Sequence, residues 1–257
     1  MGPLSSSGRL KAAASLAARV DLDLVPTQPL RGLHYRGTVE QRIIANYPVP
    51  PAALQPLVPA GARLWVRDGT AWLSACFVEM SGVRPAGLPA WAGLSFRYLV
   101  NRTMVDAPFP DGLRRKAVLV LQAFGDPAVP RVLGRVLGGA PFRPARLRWS
   151  QGTDGFEVKA EAGGDVVYQA RSRKGFASAR FSGLAAADDA LLGMAWGSHH
   201  DGAWRFFPET HDPWQAEGLD VATARYAFRD RLGVAAEADH AIAMAHCPHY
   251  FGRPIRG

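Results

Sequence analysis

The chain has 257 residues, 48% of them hydrophobic and 20% charged, with a formal net charge of +8. That length and apolar content suffice for a packed core, while 27 glycines and 20 prolines exclude an all-helical bundle. A basic balance would suit nucleic acid, but the arginines are scattered from Arg9 to Arg256 and form no block of like charge. Neither a nucleic-acid nor a membrane partner is therefore expected.

Two cysteines, Cys76 and Cys247, give no disulfide framework. No stretch approaches the roughly 18 apolar residues of a membrane-spanning helix. Residues 1–20 lack the apolar centre of a secretory signal, so a cytoplasmic location is expected.

Residues 1–36 read as an appendage, a short helix or a disordered tail, before one domain over 37–257. Thr38–Asn46 is a first predicted strand, and Pro50-Pro51 opens a short helix with proline in its first turn. Arg63–Arg67, Asp68-Gly69 and Thr70–Met80 form a predicted hairpin, because Asp-Gly supplies the positive φ angles of a tight type I′ turn. Phe96–Val105 and Lys116–Phe124 are further strands, the second apolar enough to be covered on both faces. Val129–Leu137 is a predicted helix stopped by Gly138-Gly139. Leu147–Gln151, Gly155–Ala160 and Val166–Arg173 read as a meander, and Ala185–Trp196 as a helix. Leu219–Phe228 and Ala238–His246 are late strands. One domain with a large antiparallel sheet and a few helices is the economical α+β reading.

Several segments together resemble the YqjF-like family of uncharacterised proteins. They are Tyr47-Pro48-Val49-Pro50-Pro51 leading to Leu57-Val58-Pro59-Ala60-Gly61, and Asp68-Gly69-Thr70-Ala71-Trp72-Leu73-Ser74 followed by Phe77 and Met80. Val83-Arg84-Pro85-Ala86-Gly87-Leu88-Pro89, Asn101-Arg102-Thr103 and His211-Asp212-Pro213-Trp214-Gln215-Ala216 complete the set. The resemblance runs from about residue 38 to 250. It implies an acetoacetate-decarboxylase-like fold, a curved antiparallel sheet closing barrel-like around a central pocket with helices outside. The chain departs from the family pattern before Asn101, where Tyr98-Leu99-Val100 lacks the usual acidic residue, and at Lys116-Ala117-Val118-Leu119.

The candidate chemistry follows from residue types. Lys116 is a Schiff-base candidate if its amine is neutral near pH 7, and a neighbouring cation can achieve that, as it does in acetoacetate decarboxylase. Arg114 supplies such a cation if the strand already starts there, because alternate residues share a face. Arg102, inside an apolar strand pattern, needs a partner; it could hold a substrate carboxylate bidentately or pair with an internal acid such as Glu79. Trp72, His211 and Trp214 are candidate pocket walls. His240 and His246 would share a face of one strand with Cys247 turned away, although no metal-ligand spacing is met and no metal is expected. No nucleophile elbow, P-loop or dinucleotide fingerprint is present, so no cofactor is expected.

Three functions remain open. They are a carrier or sensor for a small organic acid or ketone, a decarboxylase-, aldolase- or dehydratase-like lyase working through Lys116, and a protein-interaction module. A homo-oligomer is left open as well.

Overall fold

The computed structural model describes residues 34–109, 111–126, 142–191, 195–200, 203–207, 209–212, 214–252 and 255–256. Residues 1–33 of the predicted 1–36 appendage and the predicted helix Val129–Leu137 lie outside them, and Tyr35 and Arg36 of that appendage already belong to the first strand. The strands are β1 (Tyr35–Val49), β2 (Arg63–Leu64), β3 (Ala71–Pro85), β4 (Leu94–Pro108), β5 (Arg114–Gly125), β6 (Phe142–Pro144), β7 (Arg146–Gln151) and β8 (Phe156–Ala162). They continue as β9 (Asp165–Lys174), β10 (Ala195–His200), β11 (Ala203–Phe207), β12 (Glu209–His211), β13 (Glu217–Tyr226), β14 (His240–Phe251) and β15 (Ile255–Arg256). Three α-helices are described: α1 (Pro51–Leu54), α2 (Leu184–Leu191) and α3 (Ala227–Arg231).

All the described strands join one sheet, in the order β15-β11-β10-β5-β4-β3-β1-β14-β13-β9-β8-β7, with β12, β2 and β6 off this path. The long central strands pair antiparallel, so alternate residues build two separate cores. On one face Ile44, Trp72, Cys76, Val78, Val100, Met104, Val118 and Ile242 pack beneath Ala187, Ala190 and Leu191 of α2 and beneath Phe181. On the other, Ile43, Ala45, Ala75, Phe77 and Leu99 meet Leu147, Phe156, Val158, Tyr168 and Ala170. Strands β7, β8 and β9 therefore curl back over β1 and β3, giving the expected curved sheet. A hollow between the two layers, lined by Ile43, Ala75, Phe77, Phe156 and Tyr168, holds about 10 Å³. That is close to the smallest space one water needs.

The turn chemistry reads out as expected at one place and only partly at its flank. Asp68 and Gly69 have φ of 50° and 71°, and Arg67 and Thr70 exchange backbone hydrogen bonds of 2.9 Å, which makes the type I′ turn. The arm before it is not a long hairpin strand. Arg63 and Leu64 pair instead with Asp106 and Val105 of β4, and the Trp65 N–H donates to the Met104 carbonyl.

Other boundaries differ for tertiary reasons. Of the predicted helix Ala185–Trp196, the described helix covers Leu184–Leu191, whereas Ala195–Gly197 pair in parallel with Ala117–Leu119. A free edge of β5 outweighs local helix propensity there, so the sheet is not wholly antiparallel. Phe228 belongs to α3 rather than to a continued β13, and β14 runs beyond His246 to Phe251.

Gly155 is the tightest backbone approach in the curl, since a Cβ there would lie 1.8 Å from the Ser172 carbonyl oxygen. Gly155→Ala is expected to destabilise the fold by about 1–3 kcal/mol, an overpacking cost. Urea unfolding of the two proteins checks this, and an unchanged midpoint would show that β8 and β9 do not need the close approach.

Candidate functional site

Cross-strand register places four polar residues in one row on the face covered by α2. His240 of β14 lies opposite Asn46 of β1, Asn46 opposite Ser74 of β3, and Ser74 opposite Arg102 of β4. His240, Asn46 and Ser74 are fully buried and Arg102 is 9% exposed. Polar groups buried among Ile44, Cys76, Val100 and Ile242 must be hydrogen-bonded to be tolerated.

They are joined in a chain. Ser74 Oγ donates to Asn46 Oδ1 at 2.7 Å, and Asn46 Nδ2 lies 3.0 Å from His240 Nε2. His240 Nδ1 lies 2.9 Å from Asp239 Oδ2. A carboxylate only accepts, so Nδ1 carries the proton and Nε2 accepts from the Asn46 amide. Burial pushes the imidazole below its ordinary pKa, and the Asp239 carboxylate offsets only part of that, which leaves a neutral ring. The chain differs from a nucleophile–base pair in one respect. A primary amide stands between Ser74 and His240 and does not carry a proton from one to the other. The arrangement orients the Ser74 hydroxyl and does not ionise it.

Asp239 is also the anchor of the cover. Its Oδ1 accepts from the Ala179 N–H at 3.0 Å, and its Oδ2 accepts from the Ser178 hydroxyl. Ser178 Oγ in turn accepts from the Phe181 N–H at 2.9 Å. This tight turn lays the Phe181 ring 5.3 Å from His240 and 5.2 Å from Trp72. Trp72, two residues before Ser74 on the same face, is 1% exposed, and its indole N–H finds no acceptor among the described residues. A buried donor without an acceptor is costly and uncommon in folded proteins.

The other candidates spread along this face. Strand β5 does start at Arg114, so Arg114 and Lys116 share a side, opposite Pro108 and Asp106. Arg114 nevertheless reaches outward, with Nε donating to Asp106 Oδ2 at 2.9 Å and Nη1 to the Gly61 carbonyl at 2.8 Å. The Lys116 ammonium donates to the Ala190 carbonyl of α2 at 2.5 Å and lies 4.0 Å from the Trp65 ring centroid. Lys116 stands four residues along β5 from Val120, the partner of Arg102, which is about 13 Å of strand. At the opposite end His211 stacks on Trp214 at 3.8 Å, and the Arg42 guanidinium lies 5.5 Å from the Trp214 ring.

Two expectations are corrected. Glu79 is not the partner of Arg102: it sits on the other face, bonded to Arg97 at 2.7 Å and to the Trp149 indole N–H at 2.5 Å. Successive residues of a strand alternate faces, so Glu79 points away from the face of Ser74, Cys76 and Arg102. His240 and His246 do not share a side either. His246 has φ of 52°, which breaks the alternation and turns its ring to solvent against Glu40, while Cys247 and His249 are buried.

Sequence reasoning missed Asn46, Ser74 and Asp239. The first two carried a usable signal, a single polar residue at an inward position of an apolar strand. Their meeting with His240 spans 194 residues and has no local trace.

The sequence profile of the DUF2071 family, described as an uncharacterized conserved protein (COG2071), matches residues 36–249. Among curated proteins none matches. Solved structures share the fold. An acetoacetate decarboxylase-like enzyme from Sphingomonas wittichii RW1 aligns with a TM-score of 0.62 and 13% identity, over 88% of this chain and 93% of its own. The acetoacetate decarboxylase of Legionella pneumophila gives 0.60 and 13%, over 91% and 92%. The enduracididine biosynthesis enzyme MppR in complex with pyruvate gives 0.59 and 13%, over 90% and 91%. The acetoacetate-decarboxylase-like fold implied by the sequence resemblance is thereby borne out. At this identity the likeness carries architecture and not chemistry.

The neutral His240 makes the site acid-sensitive. Its folded pKa is depressed below the unfolded value of about 6.5, so the unfolded chain binds the proton first as pH falls. The contribution of His240 to stability is complete above that value and is lost below it. Chemical denaturation between pH 7.5 and 5 should show the wild type losing stability more steeply than His240→Gln. Parallel curves would mean that the imidazole is not held neutral.

Proposed function

We propose that this chain, which belongs to the DUF2071 family, binds a small organic acid or ketone against the polar row, with Arg102 gripping a carboxylate and Trp72 as the adjoining wall. One observation carries this reading. A guanidinium is held in an apolar face, directly opposite the hydroxyl that ends an oriented hydrogen-bond chain. A planar guanidinium matches a carboxylate bidentately, and such charge-assisted bonds are strong where water is excluded. Support of a weaker kind comes from the fold, since MppR is described in complex with pyruvate.

The binding reading is preferred to the lyase on physical grounds. A Schiff-base lysine must present a neutral, unengaged amine. Lys116 instead donates to a helix carbonyl and lies over an indole face, contacts that an ammonium makes well. In this reading Lys116 fastens α2 to β5. Arg114, paired with Asp106 at the rim, and the stacked His211 and Trp214 at the far end stand outside the immediate contacts of the ligand.

Isothermal titration with acetoacetate, pyruvate and lactate tests the proposal. The wild type should bind at least one of them at one site per chain. Arg102→Gln should weaken that binding by roughly 30- to 150-fold, the worth of about 2–3 kcal/mol for a charged hydrogen-bonded contact. A folded Arg102→Gln protein with unchanged affinity would overturn the reading. Borohydride added to the saturated protein should leave Lys116 unlabelled, and a stoichiometric adduct there would establish the lyase instead.

A further inference from the structure

We propose that the loop joining β3 to β4 docks this protein on an anionic lipid surface, with Trp91 entering the bilayer interface and Arg36 and Arg84 meeting lipid phosphates behind it. The inference does not depend on the polar row.

From Pro85 to Leu94 the sequence reads Pro-Ala-Gly-Leu-Pro-Ala-Trp-Ala-Gly-Leu, without one polar side chain. Such a run would ordinarily be core. Here it lies beyond the last rung of the β3–β4 pair, which Val83 makes with Leu94. Trp91 is 87% exposed, Leu88 45% and Leu94 44%. Scattered apolar residues on a surface need no explanation, but a contiguous exposed group marks an interaction site. The loop is also a built shape. A Cβ on Gly93 would come within 2.6 Å of the Gly82 Cα, so the two arms are clamped at the root. The Ala86 N–H donates to the His34 carbonyl at 2.9 Å and the Leu88 N–H to the Pro85 carbonyl at 3.0 Å. The Ala92 and Gly93 N–H groups donate to the Pro89 and Ala90 carbonyls, each at 3.1 Å. Pro85 and Pro89 have no N–H to satisfy. Polar backbone that is already hydrogen-bonded within the protein leaves water at less cost.

The charge behind the tip selects the partner. The β1–β3 register sets Arg36 directly opposite Arg84, and the β1–β14 register sets Tyr250, which is exposed, on the other side of Arg36. Like charges directly opposite one another repel. Arg84 donates to the carbonyls of Leu88 and Gly82, and the buried Arg36 Nε has no acceptor among the described residues. An anion from outside relieves this pair, and a lipid phosphate supplies it where the acyl region receives Leu88 and Trp91. Tryptophan and tyrosine favour the headgroup level of a bilayer, and basic groups beside them are attracted to an anionic leaflet. A stable protein partner would need a broad face, roughly 800 Å² on each side, whereas these side chains crown one loop. The scattered arginines of the sequence gave no reason to expect a membrane partner. The fold revises that expectation by bringing Arg36 and Arg84 side by side at the root of an apolar tip.

Co-sedimentation of the full-length protein with vesicles tests this. The wild type should bind vesicles of phosphatidylcholine with phosphatidylglycerol at low salt, and should bind phosphatidylcholine alone far less. Trp91→Ser, at an exposed position where the fold is not at stake, should weaken binding by about tenfold or more. Arg36→Gln should weaken it by about fivefold and flatten its salt dependence. Brominated acyl chains should quench the tryptophan emission of the wild type and much less that of Trp91→Phe. A wild type that stays in the supernatant would overturn the proposal. Binding that Trp91→Ser leaves unchanged would overturn it too, as the mark of a basic protein attracted without insertion. A dimer in analytical ultracentrifugation that Trp91→Ser dissociates would instead assign the loop to a second copy of this chain.

Discussion

The carboxylate of Asp239 is the interaction on which the rest of the site depends. It accepts from the His240 ring, from a backbone N–H and from a serine hydroxyl, and its side chain is only 4% exposed. Two consequences follow from one anion. Along the row it fixes the tautomer of His240, then the orientation of the Asn46 amide, then the direction of the Ser74 hydroxyl. Across the row it tethers residues 178–181 and so brings Phe181 down on Trp72 and His240. The Asp239 backbone N–H also donates to the Asn46 carbonyl at 2.9 Å, so the anchor is registered on the strand whose side chain it orients. A buried network of this kind specifies one arrangement because each partial alternative leaves a polar group unpaired.

The sheet separates this network from a second and unrelated core. Period-two alternation decides which face a residue serves, and the two faces are built differently. Inside the curl Glu79 is bound by Arg97 and by the Trp149 indole, and one hollow between the layers holds about 10 Å³. On the other face the polar groups are threaded through apolar packing and converge on Arg102. An irregularity in the β4–β5 pairing between Asn101 and Arg102 sets the register there, so that Arg102 faces Val120. Such irregularities re-aim side chains without ending a strand. The β3–β4 pairing, regular at this point, sets Arg102 opposite Ser74, while Arg114 and Arg115 at the start of β5 find Asp106 and Asp111.

Much of the fold was legible in the sequence because its signals are local. Asp68-Gly69 has few conformations open to it, Pro51 opens the short α1 helix, and the run Ala117–Leu121 demands cover on both faces. The ordered segments that resemble one family carried the global shape as well. Less was legible where distant chain decides. Ala195–Gly197 lie in a strand because β5 offers an edge for parallel pairing. His246 leaves the face of His240 through one positive φ angle, which no histidine announces. Of the candidate residues, Arg102 and Trp72 were singled out from their own strands, and they do lie on one face within a residue pair of each other. Asn46 and Ser74 are single polar residues at inward positions of apolar strands. They become a site only when β14 supplies His240 from the other end of the chain.

The same constraint bears on whether this fold is used here for catalysis or for recognition. Proton transfer along a row needs groups that can both give and take a proton, and an amide in the middle interrupts it. Covalent catalysis by an amine needs that amine free, and Lys116 is engaged with α2 and Trp65. What the row can do is hold directions. It fixes one hydroxyl, adjoins one buried cation and one unaccepted indole N–H, and closes over them with an aromatic ring. Fixed donors and acceptors discriminate between ligands because the wrong ligand leaves a buried group unpaired. Such rigidity would be a weak basis for moving protons, because each group in the row is already committed to one direction of hydrogen bonding.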